Sequence, residues 1–392
     1  MRPASRIHAL TPETPSEGTR PAPSPTPPTL AAVPAPQPSA HRIVPHARPW
    51  IGPDEEEAAL RVLRSARLAP GAEAARLEGL VARMAGGADA VALSSGTTAL
   101  TLALLSVGVA PRERVAIPSY TCAAVLHAVR AAQAIPVLCD VDPATLALDP
   151  DDLRRRAAGV RAVVLVHPFG LPVPVDPYRA PGTRLVEDCA QSPGARLGTV
   201  PIGSGGDAAV FSFAPTKLFT CGGPGGALAS LDPAIVRAAR DRAGHDEKDD
   251  DRPHQNALMG DLHAAVAAAQ IGRASEIVAR RRRIARLYDA AFAAHRPIVP
   301  RLAPGAQPVF QRYLLAAPGG APAALQALNA RGILARAPVF RPLHQMVPGS
   351  PPCPGSDEAQ ARWISLPLSP VLRDDEVERV IDEVKTWLSR RS

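Results

Sequence analysis

The residues best suited to do chemistry lie between Arg184 and Ser230. One apolar run in this stretch ends in two carboxylates, Glu187 and Asp188, and a second run contains Ser212 and is followed closely by Lys217. Buried parallel strands read as apolar runs, and ligands of open α/β sheets bind at the carboxyl ends of the strands. We therefore expect an acid, a hydroxyl and an amine at one edge of a sheet.

The order of these residues indicates pyridoxal phosphate chemistry. Asp188 would hold the pyridine nitrogen, Ser212 the phosphate, and Lys217 would form the Schiff base, while Gln191 lies between them in sequence. Each residue alone has an ordinary explanation, because an aspartate often caps a turn and a lysine is usually solvated. The cofactor hypothesis therefore predicts a phosphate-binding loop earlier in the chain.

A suitable loop lies between Val91 and Val109. A short apolar strand runs into two serines and then Gly96, Thr97 and Thr98, and a helical apolar stretch follows at once. Free amide groups and hydroxyls at the amino terminus of a helix form an anion site. Alone, such a sequence is often only a helix cap. Upstream of Lys217, it supplies the expected phosphate cradle.

The rest of the pattern is that of an α/β protein followed by a smaller α+β domain. A long helical pattern over 260–294 joins the two, and 309–316 predicts a strand of the smaller domain. The predicted domains are a disordered Pro-rich extension over 1–40, a large domain over 41–275 and a small one over 276–392. Apolar runs predict the main sheet strands at 114–118, 135–141, 162–169, 184–188, 208–213 and 226–230.

Composition excludes several other classes of protein. The 392 residues carry a formal charge of +7, but the arginine runs lack interleaved aromatic residues, so we expect no nucleic-acid partner. The five cysteines have no CxxC spacing, which suggests reduced thiols, a cytoplasmic protein and no metal site. No apolar stretch is long enough for a membrane span or a signal peptide.

The chain from about His46 onward resembles the DegT/DnrJ/EryC1/StrS family of PLP-dependent sugar aminotransferases. The resemblance implies the aspartate aminotransferase type I fold, with a mixed, mostly parallel seven-stranded sheet in the large domain. The matching stretches occur in the family's order and include SSGTTAL, PSYTCAAV, PVLCDVDPATLALD, VEDCAQSPGA, FSFAPTK, RRRRIARLYDAAF and SLPLSP.

The resemblance also implies roles for individual residues. Lys217 matches the Schiff-base lysine, Asp188 the partner of the pyridine nitrogen, and Gln191 the residue beside the cofactor ring. Asn256 matches an asparagine that reaches the phosphate of the neighbouring subunit, which implies a homodimer with shared sites. The phosphate-binding positions fall on Gly96, Thr97, Thr98 and Ser212, and the candidate substrate contacts are Tyr120, at a strand end, and His344.

Several positions depart from the family pattern. Cys122 stands where many relatives have an aromatic ring stacked on the cofactor, and Leu258 stands where an arginine is common. Pro224 replaces an acidic residue, and Gln311 and Arg312 stand where a His-Leu pair is usual. These departures indicate a divergent member with a divergent substrate.

The resemblance implies transfer of an amino group, with glutamate as donor, to a nucleotide-linked keto-sugar in amino-sugar biosynthesis. Relatives that dehydrate sugars replace the lysine with histidine, so Lys217 argues against that reaction. Two alternatives stay open: amination of a cyclitol or another non-sugar ketone, and a regulatory pseudoenzyme that retains only the fold.

Overall fold

The computed structural model describes residues 43–87, 89–246, 248–295 and 299–390. The extension predicted over residues 1–40 lies outside these ranges. The strands are β1 Asp89–Leu93, β2 Arg114–Pro118, β3 Ile135–Cys139, β4 Ala162–Val166, β5 Arg184–Asp188, β6 Arg196–Leu197, β7 Val200–Pro201, β8 Ala208–Ser212, β9 Gly226–Ser230, β10 Ala306–Gln307, β11 Tyr313–Ala316 and β12 Trp363–Leu366.

Helices flank these strands throughout the described chain. The α-helices are α1 Pro53–Ser65, α2 Ala72–Met84, α3 Gly96–Ser106, α4 Ala123–Ala131, α5 Pro150–Arg156, α6 Pro233–Ala243, α7 Asp261–Gly272, α8 Ala274–Phe292, α9 Ala321–Ala330, α10 Pro354–Arg362 and α11 Asp374–Ser389. Short 3₁₀ turns occupy Pro168–Gly170, Asp176–Tyr178, Ala293–His295 and Leu343–Gln345. None of the described helices has the length and apolar character needed to cross a membrane.

The central sheet has seven strands in the order β1, β9, β8, β5, β4, β2, β3. Only β9 runs against its neighbours, β8 and β1, and the other neighbouring pairs are parallel. Strands β4, β8 and β9 are buried along their whole length, which explains their unbroken apolar sequences. The expected mixed, mostly parallel sheet is confirmed.

Alternate residues of the strands face two different helical layers. Val164 and Val166 pack in the cluster that includes α3, α4 and α6. Val163 and Leu165 face the opposite layer, which includes α5. Because helices cover both faces of the sheet, its polar side chains can contact a ligand only where the strands end. In sheets of this kind, ligands bind at the carboxyl ends of the strands.

The C-terminal part is built on the antiparallel pair β11 and β12, with α8, α9 and α11 packed around it. The strand predicted over 309–316 begins only at Tyr313, because Phe310 has a left-handed backbone with φ of 50°. Near the chain's start, Val44 forms a parallel bridge with Ile333. The domain boundary at 276 falls in the first turn of α8 and stays a prediction.

The helix predicted over 260–294 is two helices, because the chain turns at Arg273 between α7 and α8. The Arg273 guanidinium lies 4.4 Å from the centre of the Trp50 ring and 3.2 Å from the Glu55 carboxylate. These contacts with a distant segment hold the turn, and nothing in the local apolar pattern encodes them.

Candidate active site

A cavity of about 240 Å³ lies at the carboxyl edge of the central sheet. It forms where β1, β5 and β8 end, because the register places Leu93 opposite Gly226 and Gly226 opposite Ser212. Six of the residues predicted for the cofactor line it together: Gly96, Thr97, Asp188, Gln191, Ser212 and Lys217. The rest of the lining comes from Ser95, Leu100, Thr121, Cys122, Ala124, Val125, Ala190, Ala214, Pro224 and Gly225.

The first turn of α3 forms one wall of this cavity. Ser95 is its N-cap, and the Ser95 Oγ accepts a hydrogen bond of 3.0 Å from the Thr98 N–H. The Thr98 hydroxyl bonds to the same Ser95 oxygen at 2.8 Å, and Thr98 does not line the cavity. The amides of Gly96 and Thr97 precede the first intrahelical bonds, so they are available to an anion.

The glycines of this wall are required by close packing. A Cβ on Gly96 would lie 2.8 Å from the Ser212 Cβ and 3.1 Å from its hydroxyl oxygen. A Cβ on Gly226 would lie 2.5 Å from the backbone nitrogen of Gly96. The helix amide groups and the Ser212 hydroxyl therefore converge on one small volume, which suits a phosphate group.

Asp188 reaches the cavity from the end of β5, and Lys217 reaches it from the turn that follows the neighbouring strand β8. Both residues are half-buried. Burial lowers the pKa of Lys217, although the Asp188 carboxylate acts to raise it. Burial likewise raises the pKa of Asp188, opposed by the Ala190 N–H at 2.9 Å and by the charge of Lys217. The low pKa makes the amine of Lys217 a better nucleophile and proton carrier near neutral pH.

Asp188 is held in place by its neighbour Glu187, which is fully buried. One Glu187 oxygen accepts hydrogen bonds from the backbone amides of Gly205 and Gly206, and the other accepts from Gly203 and His167. Burial raises the pKa of Glu187, but the His167 bond and these amides outweigh it and hold the pKa below its usual range. Glu187 is thus a structural carboxylate that anchors the end of β5.

His167 is bonded at both ring nitrogens. Its Nδ1 lies 3.0 Å from the Val173 N–H and accepts from it, so its Nε2 donates to Glu187 at 2.9 Å. Ligand atoms of His167, Glu187 and Cys189 lie within 4.8 Å of one another, as metal ligands can. Because the histidine and the glutamate already have hydrogen-bond partners, this cluster serves as a polar anchor of the core.

Gln191 and Cys122 shape the remaining walls. The Gln191 Oε1 accepts a hydrogen bond of 2.8 Å from the Phe169 N–H, which orients the amide beside the cavity. Cys122 precedes α4 as its N-cap, and its exposed thiol is part of the lining. A small thiol therefore occupies the wall at the start of α4, where the resemblance led us to expect an aromatic ring in many relatives.

Besides Thr98, three predicted residues lie outside this cavity. Tyr120 is buried, and its hydroxyl donates to the Ala359 carbonyl at 3.4 Å. His344 bonds through Nδ1 to the Ser119 hydroxyl at 2.7 Å. Asn256 is exposed on the surface, although Ala257, beside it, accepts from the Ser94 N–H at 2.7 Å. Their roles toward substrate and cofactor stay predictions.

Thr121, Ala124 and Val125 line the cavity although sequence reasoning did not assign them. They were detectable by position, since they surround the start of α4 directly after the end of β2. The end of a parallel strand lies at the ligand edge regardless of which residue types occupy it. Ala124 and Val125 have apolar side chains and the sequence around Thr121 matches no anion-binding pattern, so residue type alone gave no signal.

A larger cavity of about 690 Å³ lies at the opposite, amino-terminal edge of the strands. It is bordered by arginines, among them Arg114 and Arg161. Arg114 already donates to the carbonyls of Ala158 and Arg156, and Arg161 donates to that of Gly108. The residues that line this cavity include no lysine, so the smaller cavity is the candidate active site.

A half-buried lysine and aspartate beside a helix amino terminus, on a mixed seven-stranded sheet, define a PLP-dependent transferase. The residues fit the cofactor, since Lys217 offers an amine, Asp188 a partner for the ring nitrogen, and the glycine-lined cradle a phosphate site. The chain belongs to the DegT/DnrJ/EryC1/StrS aminotransferase family, whose model matches residues 49–385. The protein is an aminotransferase with pyridoxal phosphate as its cofactor.

Curated relatives match most of the chain. A dTDP-3-amino-3,4,6-trideoxy-alpha-D-glucose transaminase from Streptomyces venezuelae is 33% identical over 355 residues, which are 86% of this chain and 93% of the relative. A UDP-N-acetyl-3-dehydro-alpha-D-glucosamine 3-aminotransferase from Acidithiobacillus ferrooxidans is 28% identical over 340 residues, 84% of this chain and 92% of the relative. The aminotransferase TlmJ from Streptoalloteichus hindustanus superposes with a TM-score of 0.82 at 29% identity, over 89% of this chain and 99% of that one.

Proposed function

We propose that this aminotransferase moves an amino group from an amino acid, glutamate in the first instance, to the ketone of a nucleotide-linked sugar. The observation that carries the proposal is the cavity that combines Lys217, Asp188 and the phosphate cradle of α3. The two relatives, which are named for dTDP-linked and UDP-linked amino sugars, support a nucleotide-linked sugar as the acceptor.

The bound cofactor supplies an electrophilic carbon and an electron sink for the substrate's α-carbon. Lys217 is assigned the covalent attachment and the movement of a proton at its Nζ, for which its lowered pKa suits it. Asp188 is assigned the stabilisation of the protonated ring nitrogen through its carboxylate. Ser212 and the Gly96 and Thr97 amides are assigned the phosphate.

We also propose that the active unit is a homodimer in which Asn256 completes the phosphate site of the partner subunit. In support, the Asn256 side chain is exposed and stands outside its own cavity. The backbone beside it is nevertheless bonded to Ser94, at the base of the cradle. A second copy placed against this surface would bring an amide side chain toward an anion site.

The test is amino transfer from ¹⁵N-labelled L-glutamate to UDP-linked and dTDP-linked keto-sugars, followed by mass spectrometry. Wild-type protein should show the visible absorbance of a lysine-bound cofactor, sensitive to borohydride, and should produce labelled amino sugar. Lys217→Ala should lose both, because it removes the attachment point and the proton carrier. Lys248→Ala is the matched control, since that lysine pairs with Asp241 on the surface, at 2.7 Å.

Turnover of the Lys217→Ala variant near that of wild type would refute the assignment of this lysine. A wild-type protein that holds no pyridoxal phosphate would support the pseudoenzyme. Labelling of a cyclitol ketone in place of every sugar tested would move the acceptor outside the nucleotide sugars.

A further inference from the structure

Arg312, directly before β11, carries a positive charge that no described residue neutralises. Its backbone N–H donates to the Phe169 carbonyl at 3.1 Å, but the guanidinium has no hydrogen bond or ion pair within the described chain. The side chain is only half-exposed, and burial lowers the pKa of Arg312. The guanidinium donors are therefore available to an anion from outside the described chain.

The turn that carries Arg312 adjoins the Lys217 cavity on two sides. The Gln311 side chain donates from Nε2 to the carbonyl of Thr216, the neighbour of Lys217, at 3.1 Å. Phe169, which accepts from the Arg312 N–H, donates its own N–H to Gln191 in the cavity wall. The charge of Arg312 also acts to lower the pKa of Lys217. The arginine is therefore an electrostatic neighbour of the catalytic amine.

This turn is held rigidly. Arg281 donates to the carbonyls of Phe310, Gln311 and Leu368, at 3.1 to 3.3 Å. Both phenylalanines at the crossing have left-handed backbones, with φ of 59° at Phe169 and 50° at Phe310. Such conformations are unfavourable for bulky residues and persist where surrounding contacts impose them. Arg312 thus has a fixed backbone position.

A second polar atom beside Arg312 also lacks a partner. The Gln311 Oε1 is buried and accepts no hydrogen bond from any described residue. Because this oxygen is enclosed, it is not itself a ligand contact. The arginine beside it is the group available to a ligand, and a carboxylate is an anion that a guanidinium binds through paired hydrogen bonds.

The reaction itself selects among anions. The amine of an amino donor must reach the cofactor at Lys217, and its α-carboxylate is attached to the same carbon as that amine. We propose that Arg312 binds the α-carboxylate of the amino donor and so selects amino acids as the amine source. The inference rests on the proposed function and identifies the donor side of that site.

Arg312 does not line the Lys217 cavity itself; it borders a second cavity of about 380 Å³, whose lining is largely apolar. The turn that carries Arg312 is nevertheless bonded to Thr216, the neighbour of Lys217, and through Phe169 to Gln191 in the wall of the first cavity. Because the donor's amine must react at Lys217, the carboxylate is assigned to the side of the arginine nearest Lys217.

The test compares holoenzymes of wild type, Arg312→Gln, Arg312→Lys and the exposed control Arg286→Gln. Glutarate, a dicarboxylate without an amine, is titrated by calorimetry, and L-glutamate is used to convert the bound cofactor to its amine form in a single turnover. Arg312→Gln should weaken glutarate binding and raise the half-saturating glutamate concentration on the order of 10- to 100-fold. Its limiting rate should change far less, since the carboxylate contact exists before and during the reaction.

Arg312→Lys should restore part of the affinity, because lysine keeps the charge but loses the forked geometry. Arg286→Gln should match wild type. Unchanged glutarate affinity in Arg312→Gln, with or without a lowered melting temperature, would overturn the inference while leaving the proposed function intact. A wild type that holds the cofactor but is not converted by L-glutamate would count against the proposed function, and the glutarate titration would still decide the role of the arginine.

Discussion

At the scale of single residues, the same two opposing effects determine the pKa values of Asp188 and Lys217. Burial favours the neutral form of each group, while the charge of one favours the charged form of the other. A protonated pyridine nitrogen beside Asp188 would tip the balance toward its carboxylate. The role proposed for Asp188 therefore depends on its position at the fixed end of β5, half-buried and near a cation.

Asp188→Asn should lower the rate of amino transfer roughly 100-fold or more, because a neutral amide cannot stabilise a protonated ring nitrogen. The far-UV circular dichroism spectrum and the phosphate contacts should be retained. The rate is measured as conversion of the bound cofactor by L-glutamate, with the exposed Asp176→Asn as control. Full activity in Asp188→Asn would mean that this carboxylate has only a structural role.

At the scale of elements, the start of β9 packs directly against the first turn of α3. Gly226→Ala would place a methyl group 2.5 Å from the Gly96 nitrogen and the Ser95 carbonyl carbon, and neither backbone atom can rotate away. We expect a loss of about 1–3 kcal/mol in unfolding free energy. Movement of the cradle amides should also weaken cofactor affinity, on the order of tenfold.

The measurements are urea unfolding and titration of the apoprotein with pyridoxal phosphate. Gly272→Ala is the matched control, since an added Cβ there meets nothing within 4 Å and the position ends α7. That control should be neutral or more stable by about 0.5–1 kcal/mol. Equal behaviour of the two variants would show that β9 does not constrain the cradle.

The segment near Val44 joins the C-terminal elements through a histidine that is kept neutral. The His46 Nε2 lies 2.8 Å from the Ser365 hydroxyl. Burial, together with the charges of Arg312, Arg336 and Arg281, lowers the pKa of His46 from 6.5 to about 3. Below pH 6.5 the unfolded chain binds a proton at this residue, whereas the folded chain does so only near pH 3. The free energy of unfolding therefore decreases as the pH falls from 6.5 toward 3.

We expect the unfolding free energy of wild type to decrease between pH 6.5 and 5 by up to about 1.4 kcal/mol per pH unit from this residue. His46→Gln, which retains a hydrogen-bonding group, should show a flatter pH dependence over the same window. Urea unfolding at several pH values provides the measurement, with the exposed His245→Gln as control. Parallel curves for wild type and His46→Gln would contradict a neutral buried histidine.

At the scale of the whole molecule, the proposed sharing of sites makes a distinct prediction for mixed dimers. Lys217→Ala and Asn256→Ala chains, each impaired alone, should regain activity when refolded together at limiting pyridoxal phosphate. If Asn256 acts on the partner, one site of the mixed dimer receives both defects and the other receives none. Loss of one bond to a charged phosphate, about 1.5–3 kcal/mol, weakens cofactor binding enough to make the assay sensitive.

The mixed dimer should be separated from both parents by affinity tags before its turnover is measured. If Asn256 served its own chain, each site of the mixed dimer would carry one defect, and mixing would restore nothing. Mixed dimers shown to be present without recovered activity would therefore disprove the shared site.

The sequence by itself determined the sheet and the edge at which chemistry takes place. Apolar runs predicted the strands that end at Asp188 and Ser212, because a strand that is buried on both faces consists of consecutive apolar residues. The family, the aminotransferase activity and the cofactor followed from motifs in order and are confirmed. The order of Asp188, Ser212 and Lys217 also predicted a single cavity, and the structure brings all three together.

Only the tertiary structure decided where the individual side chains lie relative to the cavity. In the structure the Thr98 hydroxyl is bonded to the N-cap residue Ser95, and Tyr120 is buried against α10. Asn256 is exposed. The tertiary structure also placed Arg312, 95 residues beyond Lys217 in sequence, on a turn that is bonded to Thr216, the neighbour of Lys217. Each outcome depends on contacts between segments far apart in the chain, and the local pattern of apolar and polar residues contains no information on these contacts.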